Sequence, residues 1–335
     1  MVFSPTIEEL RSAVDETIAA DLERRASALP EASLLIDEMW RLTAAGGKRL
    51  RPAFCYWGFR TAGGRHCPEI LRAASSLELL HTFAIVHDDI MDSSDERRGE
   101  EAVHARHGVG VGILVGDLAL VLADDAFMGA GFTPDATARA FAAYSRMRQE
   151  VIAGQYLDLS YAARADITVA EARRVAVLKS GRYSIEEPLA IGAALAGADD
   201  AFLDRLSAFG SPLGEAFQLR DDLLGTFGER SDVGKPVDSD ITEGKRNVLY
   251  AFAAERLSGA DGDLLRSRWG GDRLTEDEID ALRELVESSG ARAATEALLD
   301  EQVAAALRRL DDLAPRPEER AALEQLVFLA TARRA

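Results

Sequence analysis

Apolar residues return every three or four positions in segment after segment of this chain: 6–28, 31–45, 50–62, 68–92, 110–131, 134–162, 168–195, 200–227, 246–257 and three more stretches after 275. Ten prolines in 335 residues, and few alternating β-branched runs, leave little from which to build a sheet. The predicted fold class is therefore all-α, a bundle of helices. Breaks fall at Gly46-Gly47, Gly63-Gly64, Ser93 to Gly99, Thr133-Pro134 and Gly228 to Gly244. None is a Pro/Gly/Ser-rich linker and no repeat period is visible, so residues 1–335 read as one domain.

Charge narrows the class of partner. The net charge is -18 with no basic face, which argues against nucleic acid. An anionic ligand would need a local patch of Lys, Arg and metal. Two cysteines, Cys55 and Cys67, are too few for a disulfide framework and suit a reducing, cytoplasmic setting. The N-terminus has no basic and apolar leader pattern, and the most apolar run, Val109 to Ala123, is short, contains glycines and is interrupted by Asp117. No transmembrane segment is expected.

Polar residues gather at the breaks. In His87-Asp-Asp-Ile-Met-Asp92 an apolar helix ends in acids, and Arg97-Arg98-Gly99 follows. Asp88 and Asp92 stand one turn apart, about 5–6 Å on one face, close enough to share a hard divalent cation. The two arginines can hold phosphate oxygens. Alone, such a motif is also what a solvated acidic helix end looks like. A second pair, Asp221-Asp222, closes another apolar run in Phe217-Gln-Leu-Arg-Asp-Asp-Leu-Leu-Gly225. Below the first motif the face through Glu78, His81, Ile85, Asp88 and Asp92 is unusually polar, and His81 is either a satisfied core histidine or a residue lining a cavity.

Lysine usage points the same way. Among 39 Lys plus Arg, lysine occurs at positions 48, 179, 235 and 245, each within two residues of a glycine. A compact ammonium where backbone approaches a ligand would explain that retention, with chance as the other reading.

In order along the chain, Gly46-Gly-Lys-Arg-Leu-Arg-Pro52, His81, Asp88 to Asp92 with Arg97-Arg98-Gly99, Lys179-Ser180, Gln218 to Asp222, Gly234-Lys235 and Lys245 resemble the signature of the trans-isoprenyl diphosphate synthases, the short-chain polyprenyl synthetases. The resemblance covers about residues 40–250. It implies an all-α homodimer in which each subunit surrounds a deep cavity. Asp88, Asp92 and Asp221, with Asp222 beside it, would bind Mg²⁺, and Arg97, Lys179, Lys235 and Lys245 would hold the allylic diphosphate. Lys48, Arg51, His81 and Arg98 would hold isopentenyl diphosphate. Lys179, Ser180 and Gln218 would serve catalysis, the last two by presenting oxygen dipoles to a carbocation. Each of those two could equally be an ordinary helix residue.

Two positions depart from the family pattern. Gly225 stands where the second motif usually closes with aspartate, and Ser180 where threonine is common. Product length would follow from the floor of the cavity. Ala84 and Phe83 lie four and five residues before Asp88, about 6–7.5 Å along the helix. That arrangement resembles the C20, geranylgeranyl type, although Phe83 could instead be a core residue and farnesyl or longer products stay open. A terpene cyclase would leave Lys48, Arg51 and the arginine pair unexplained. A di-iron bundle would need Glu78-x-x-His81 and Glu101-x-x-His104. A non-catalytic subunit that binds prenyl diphosphates rests on Gly225. The run from Val109 to Phe127, with Gly110, Gly112 and Gly116, is the candidate dimer interface, or else a core helix of one subunit.

Overall fold

Thr6 opens the first helix with a reciprocal cap, its side chain accepting from the Glu9 amide at 3.2 Å while the Glu9 carboxylate accepts from the Thr6 amide at 2.8 Å. Ile7, Leu10, Val14, Ile18 and Leu22 then return on one buried face, each burial stabilising the fold by about 1.5–3 kcal/mol. The same logic repeats through the computed structural model, which describes residues 5–228, 238–271 and 273–332.

The elements follow the order α1 (Ile7–Ala28), α2 (Ser33–Ala44), α3 (Leu50–Thr61), α4 (Pro68–Asp92), β1 (Glu96–Arg97), β2 (Glu100–Glu101), α5 (Val103–His107), α6 (Val109–Met128), α7 (Pro134–Ala162) and α8 (Val169–Val175). A π-helix (Ala176–Glu186) continues into α9 (Glu187–Leu195), followed by α10 (Asp200–Phe227), α11 (Ser239–Thr242), α12 (Val248–Arg256), α13 (Gly259–Arg268), α14 (Glu276–Ser288), α15 (Ala291–Leu310) and α16 (Pro317–Thr331). The expected all-α class holds. Strand structure among the described residues is confined to one antiparallel hairpin, Glu96 opposite Glu101 and Arg97 opposite Glu100.

The chain gathers into two compact units. The first comprises residues up to Ala142 with Pro188–Leu203 and Pro315–Leu326; the second comprises Ala143–Glu187, Asp204–Ala314 and the residues from Val327 on. In the first, α3 is buried almost all round from Pro52 to Arg60, and α4 packs along α6, α3 and α1. Small residues Ala73, Ala74, Ser75 and Ser76 on α4 are all buried, which lets neighbouring helices come close. In the second unit, α12 is buried through Val248, Leu249, Tyr250 and Ala251, and packs on α8, α13, α14 and α15. Leu219, Leu223, Trp269, Leu282 and Leu299 complete that core.

Three local features differ from the sequence expectation. The break after Asp92 contains the hairpin, which Arg41 ties down by donating to the Glu101 carbonyl at 2.9 Å and pairing with Glu100 at 3.3 Å. The helix expected over 168–195 widens into π turns across Ala176–Glu186, where Gly181 lies against the backbone of Gly214. An extra helix, α13, has just two large apolar residues, Leu264 and Leu265, and so carries almost no periodic signal.

Candidate active site

In the first unit, α4 delivers its acids at its carbonyl end, where the helix dipole makes negative charge unfavourable by about 0.3–1 kcal/mol per group. A cation there offsets that cost. Arg97, carried by β1, donates from Nε to Asp89 Oδ1 at 2.8 Å, again from Nη2 to the same oxygen, and lies 3.5 Å from Asp88 Oδ2. Asp89 is buried, while Asp88 and Asp92 are half-buried on the neighbouring face.

One turn and more below them lies a concentration of positive charge. Arg49 is buried in a left-handed backbone conformation, φ 51°, and its guanidinium donates to Asp15 at 2.6 Å, the Gly46 carbonyl at 2.8 Å, Glu78 at 3.0 Å and the Thr43 carbonyl at 2.5 Å. Arg98, also left-handed at φ 57°, donates to the Leu42 carbonyl at 2.8 Å and lies 3.5 Å from the same Glu78 carboxylate. Two guanidiniums pass so close over Gly47 that a Cβ there would sit 2.5 Å from Arg49 Nη1 and 3.2 Å from Arg98 Nη2. Lys48 stands exposed on the loop they fix, and Arg51 is half-buried at the start of α3. Desolvation, followed by the fields of Arg51, Arg98, Arg97 and Arg49, pushes His81 well below the ordinary histidine value. The imidazole is therefore neutral at pH 7, and the surrounding arginines leave the potential suited to an anion.

Further along the face of α4, Phe83 and Ala84 are half-buried, and the Phe83 ring meets that of His87 edge-on, 5.0 Å between centroids at 69°.

The second unit holds the other predicted residues. Lys179 and Ser180 ride on the π-helix. Lys179 Nζ lies 2.6 Å from Asp158 Oδ2, and Lys245 Nζ 3.4 Å from the same oxygen and 3.6 Å from Glu243. Asp158, on α7, thus bridges two of the four lysines. Ser180 is buried. Asp222 is buried too, one oxygen accepting from the Gln218 amide at 2.7 Å and the other from the Val248 N–H at 3.2 Å. Burial first, then the Asp240 carboxylate, raises Asp222 well above the usual range. Asp221 is half-buried. Lys235 lies outside the described residues.

Gly225 has a neighbour that sequence reading passes over. A Cβ at this glycine would stand 2.5 Å from the Asp240 carboxyl carbon, so Asp240, from α11, fills the space a side chain at 225 would take. Asn247 donates to that carboxylate at 2.8 Å.

Among the described residues no three His, Cys, Asp or Glu side chains form a metal cage. Mg²⁺ does not require one, since it is commonly held by one or two carboxylates together with substrate phosphates and water. Asp88 and Asp92, hard oxygen donors one turn apart on α4, fit that chemistry.

Arg49, Asp158 and Asp240 were missed in the sequence because each acts through a partner remote in the chain. A weak signal existed for Asp158, which follows Gly154 by one helical turn and faces lysines whose retention had already been noted.

Comparison with known proteins places the chain in a family. Residues 33–286 match the polyprenyl synthetase family model. The chain is 33% identical over 284 residues to a geranylgeranyl diphosphate synthase of Sulfolobus acidocaldarius, covering 83% of this chain and 82% of that protein. It is 33% identical over 303 residues to a short chain isoprenyl diphosphate synthase of Methanothermobacter thermautotrophicus, covering 90% and 89%. A crystal structure of geranylgeranyl pyrophosphate synthase from Corynebacterium glutamicum, complexed with isoprenyl diphosphate and magnesium, superposes with a TM-score of 0.95 at 34% identity, over 98% of this chain and 100% of that one. By sequence over three quarters of its length and by fold over nearly all of it, this chain belongs to the polyprenyl synthetase family.

Proposed function

We propose that this trans-prenyltransferase condenses isopentenyl diphosphate with allylic diphosphates (dimethylallyl, geranyl and farnesyl) and releases geranylgeranyl diphosphate, as a homodimer in the cytoplasm. The observation that carries the reading is the field of Arg49, Arg51, Arg97 and Arg98 around a neutral His81, beside two half-buried aspartates on one helix end. Such a site suits a diphosphate and its cation.

In this reading Lys48, Arg51, His81 and Arg98 hold isopentenyl diphosphate, and Arg97, Lys179, Lys235 and Lys245 hold the allylic diphosphate. Fixed positive charge at the departing oxygens lowers the barrier to breaking the allylic C–O bond. Mg²⁺ held by Asp88, Asp92 and Asp221 would neutralise charge on the leaving diphosphate. Asp222 stands beside Asp221 as a further candidate Mg²⁺ ligand, its two oxygens held by Gln218 and the Val248 amide. The Ser180 hydroxyl and the Gln218 carbonyl oxygen stabilise the allylic cation by their dipoles. The double bond of isopentenyl diphosphate then forms the new C–C bond at the allylic carbon, and a proton leaves to the released diphosphate. The whole chain serves as one catalytic domain.

Phe83 closes the space for the growing chain while the small Ala84 keeps it open nearer the aspartates, which favours a C20 product. Gly225, the sequence hint of a non-catalytic subunit, has the Asp240 carboxylate in the space a side chain there would take, which supports a catalytic reading.

Dimerisation is supported by α6. Val109, Leu114, Val121 and Met128 are each more than half exposed along it. Gly112 and Gly116, by contrast, face Ile90 and His87 of α4 and serve packing within the chain. No helix among the described residues is long and apolar enough to cross a membrane.

Incubation with Mg²⁺, isopentenyl diphosphate and each allylic primer, followed by separation of the dephosphorylated alcohols, tests the reading. Linear C20 alcohol is expected. C15 or longer products would move the floor, and no elongation with any primer would overturn the reaction.

A further inference from the structure

At Gly116 the backbone of α6 comes so near α4 that a Cβ on that residue would overlap the His87 ring. The glycine is therefore a seat for the imidazole. His87 Nε2 lies 3.1 Å from the Ile113 carbonyl, which can only accept, so this nitrogen carries the hydrogen. Asp117 Oδ1 lies 3.8 Å from the same nitrogen. On its other side the imidazole meets Phe83, one turn earlier on α4. Thr82, Ile85 and Val86 around Phe83 are buried, whereas Phe83 itself is half-exposed. Gly116, His87 and Phe83 thus form a row with a fixed backbone at one end and open space at the other.

We propose that Gly116 and His87 are positioning residues for chain length, setting the depth at which the Phe83 ring stands and through it the size of the product. The proposal rests on Phe83 being the floor. A methyl group at 116 displaces the imidazole, which cannot move toward Ile113 and so presses on Phe83. The phenyl ring yields toward its open side and shortens the room left for the chain. Removing the imidazole has the opposite effect, since Phe83 swings into the vacated space.

The test is the product distribution of Gly116→Ala, His87→Ala, Phe83→Ala and the double variant Gly116→Ala/Phe83→Ala, at matched conversion with geranyl and farnesyl diphosphate. Gly116→Ala is expected to raise the ratio of C15 to C20 by about tenfold, the scale of one methyl in an apolar pocket. His87→Ala is expected to give products longer than C20. In the Phe83→Ala background, Gly116→Ala should add no further shift. If Phe83→Ala lengthens the product while Gly116→Ala leaves it unchanged, or shifts it equally in both backgrounds, the positioning role is overturned and the floor survives. If Phe83→Ala changes nothing, the floor reading fails and the proposal falls with it. Should Gly116→Ala not fold, the His87→Ala products decide: C20 alone, with Phe83→Ala lengthening, rejects the row.

Discussion

Arg49 donates to Glu78 across 3.0 Å with both side chains 3% exposed. Stranding a buried charge outright costs about 3–5 kcal/mol, but here Arg49 keeps Asp15 at 2.6 Å and Glu78 keeps Arg98 at 3.5 Å, so losing either member costs less than that. Here the pair also fixes the loop bearing Lys48, because the same guanidinium holds the carbonyls of Thr43 and Gly46. Glu78→Ala is predicted to lower stability by less than that in urea titration and to raise KM for isopentenyl diphosphate more than KM for the allylic primer. Arg49→Lys keeps the charge but cannot make the same fan of bonds, and should show the same split. Equal changes in both KM values would count against a local role.

Asp158 holds two ammonium groups in place. Asp158→Asn is predicted to lower kcat/KM for the allylic diphosphate by about 100-fold through misplacement of Lys179 and Lys245. Steady-state kinetics with geranyl diphosphate checks this, and a loss below threefold would contradict it.

Restoring the family's usual aspartate at position 225 should harm the protein. The Asp240 carboxylate already fills that space, and overpacking costs about 1–3 kcal/mol before any repulsion between acids. Gly225→Asp is predicted to melt earlier and turn over more slowly, with Gly225→Asp/Asp240→Gly recovering part of both. A gain in activity from the single change would refute the steric account.

Acid should weaken the fold through His81. Its folded value lies below the unfolded one of about 6.5, so the unfolded chain takes up the proton first. The contribution is complete above roughly pH 6.5 and declines as pH falls below it. Urea midpoints measured from about pH 7 to 5 should drop more steeply for the wild type than for His81→Gln. Parallel curves would remove His81 from the acid response.

The exposed apolar face of α6 gives a prediction about assembly. Leu114→Arg and Val121→Arg, both on that face, should convert a dimer to monomer in sedimentation without lowering helix content. A dimer that survives both changes places the interface elsewhere.

Much of the helical frame could be read from the chain, with α4, α7 and α10 starting and ending where periodicity and prolines indicated. Pro68 and Pro134 mark starts because a first-turn residue needs no N–H donor. The elements that carry the candidate site residues were legible where the motif is local: Asp88 and Asp92 share a turn at the end of α4, and Lys179 and Ser180 are neighbours on the π-helix. Arg49, Asp158 and Asp240 were not, since each acts on a partner distant in sequence. The hairpin after Asp92 was hidden for a similar reason. Its charged residues have no strand pattern, and Arg41 from α2 helps hold it. The glycines of α6 were visible, but not which neighbour they faced.

The arrangement at Gly225 also constrains how this sequence can drift. An acid at 225 and an acid at 240 compete for one volume in this chain, so the glycine is what lets the Asp240 carboxylate lie against α10. A side chain at 225 therefore has to displace the one at 240.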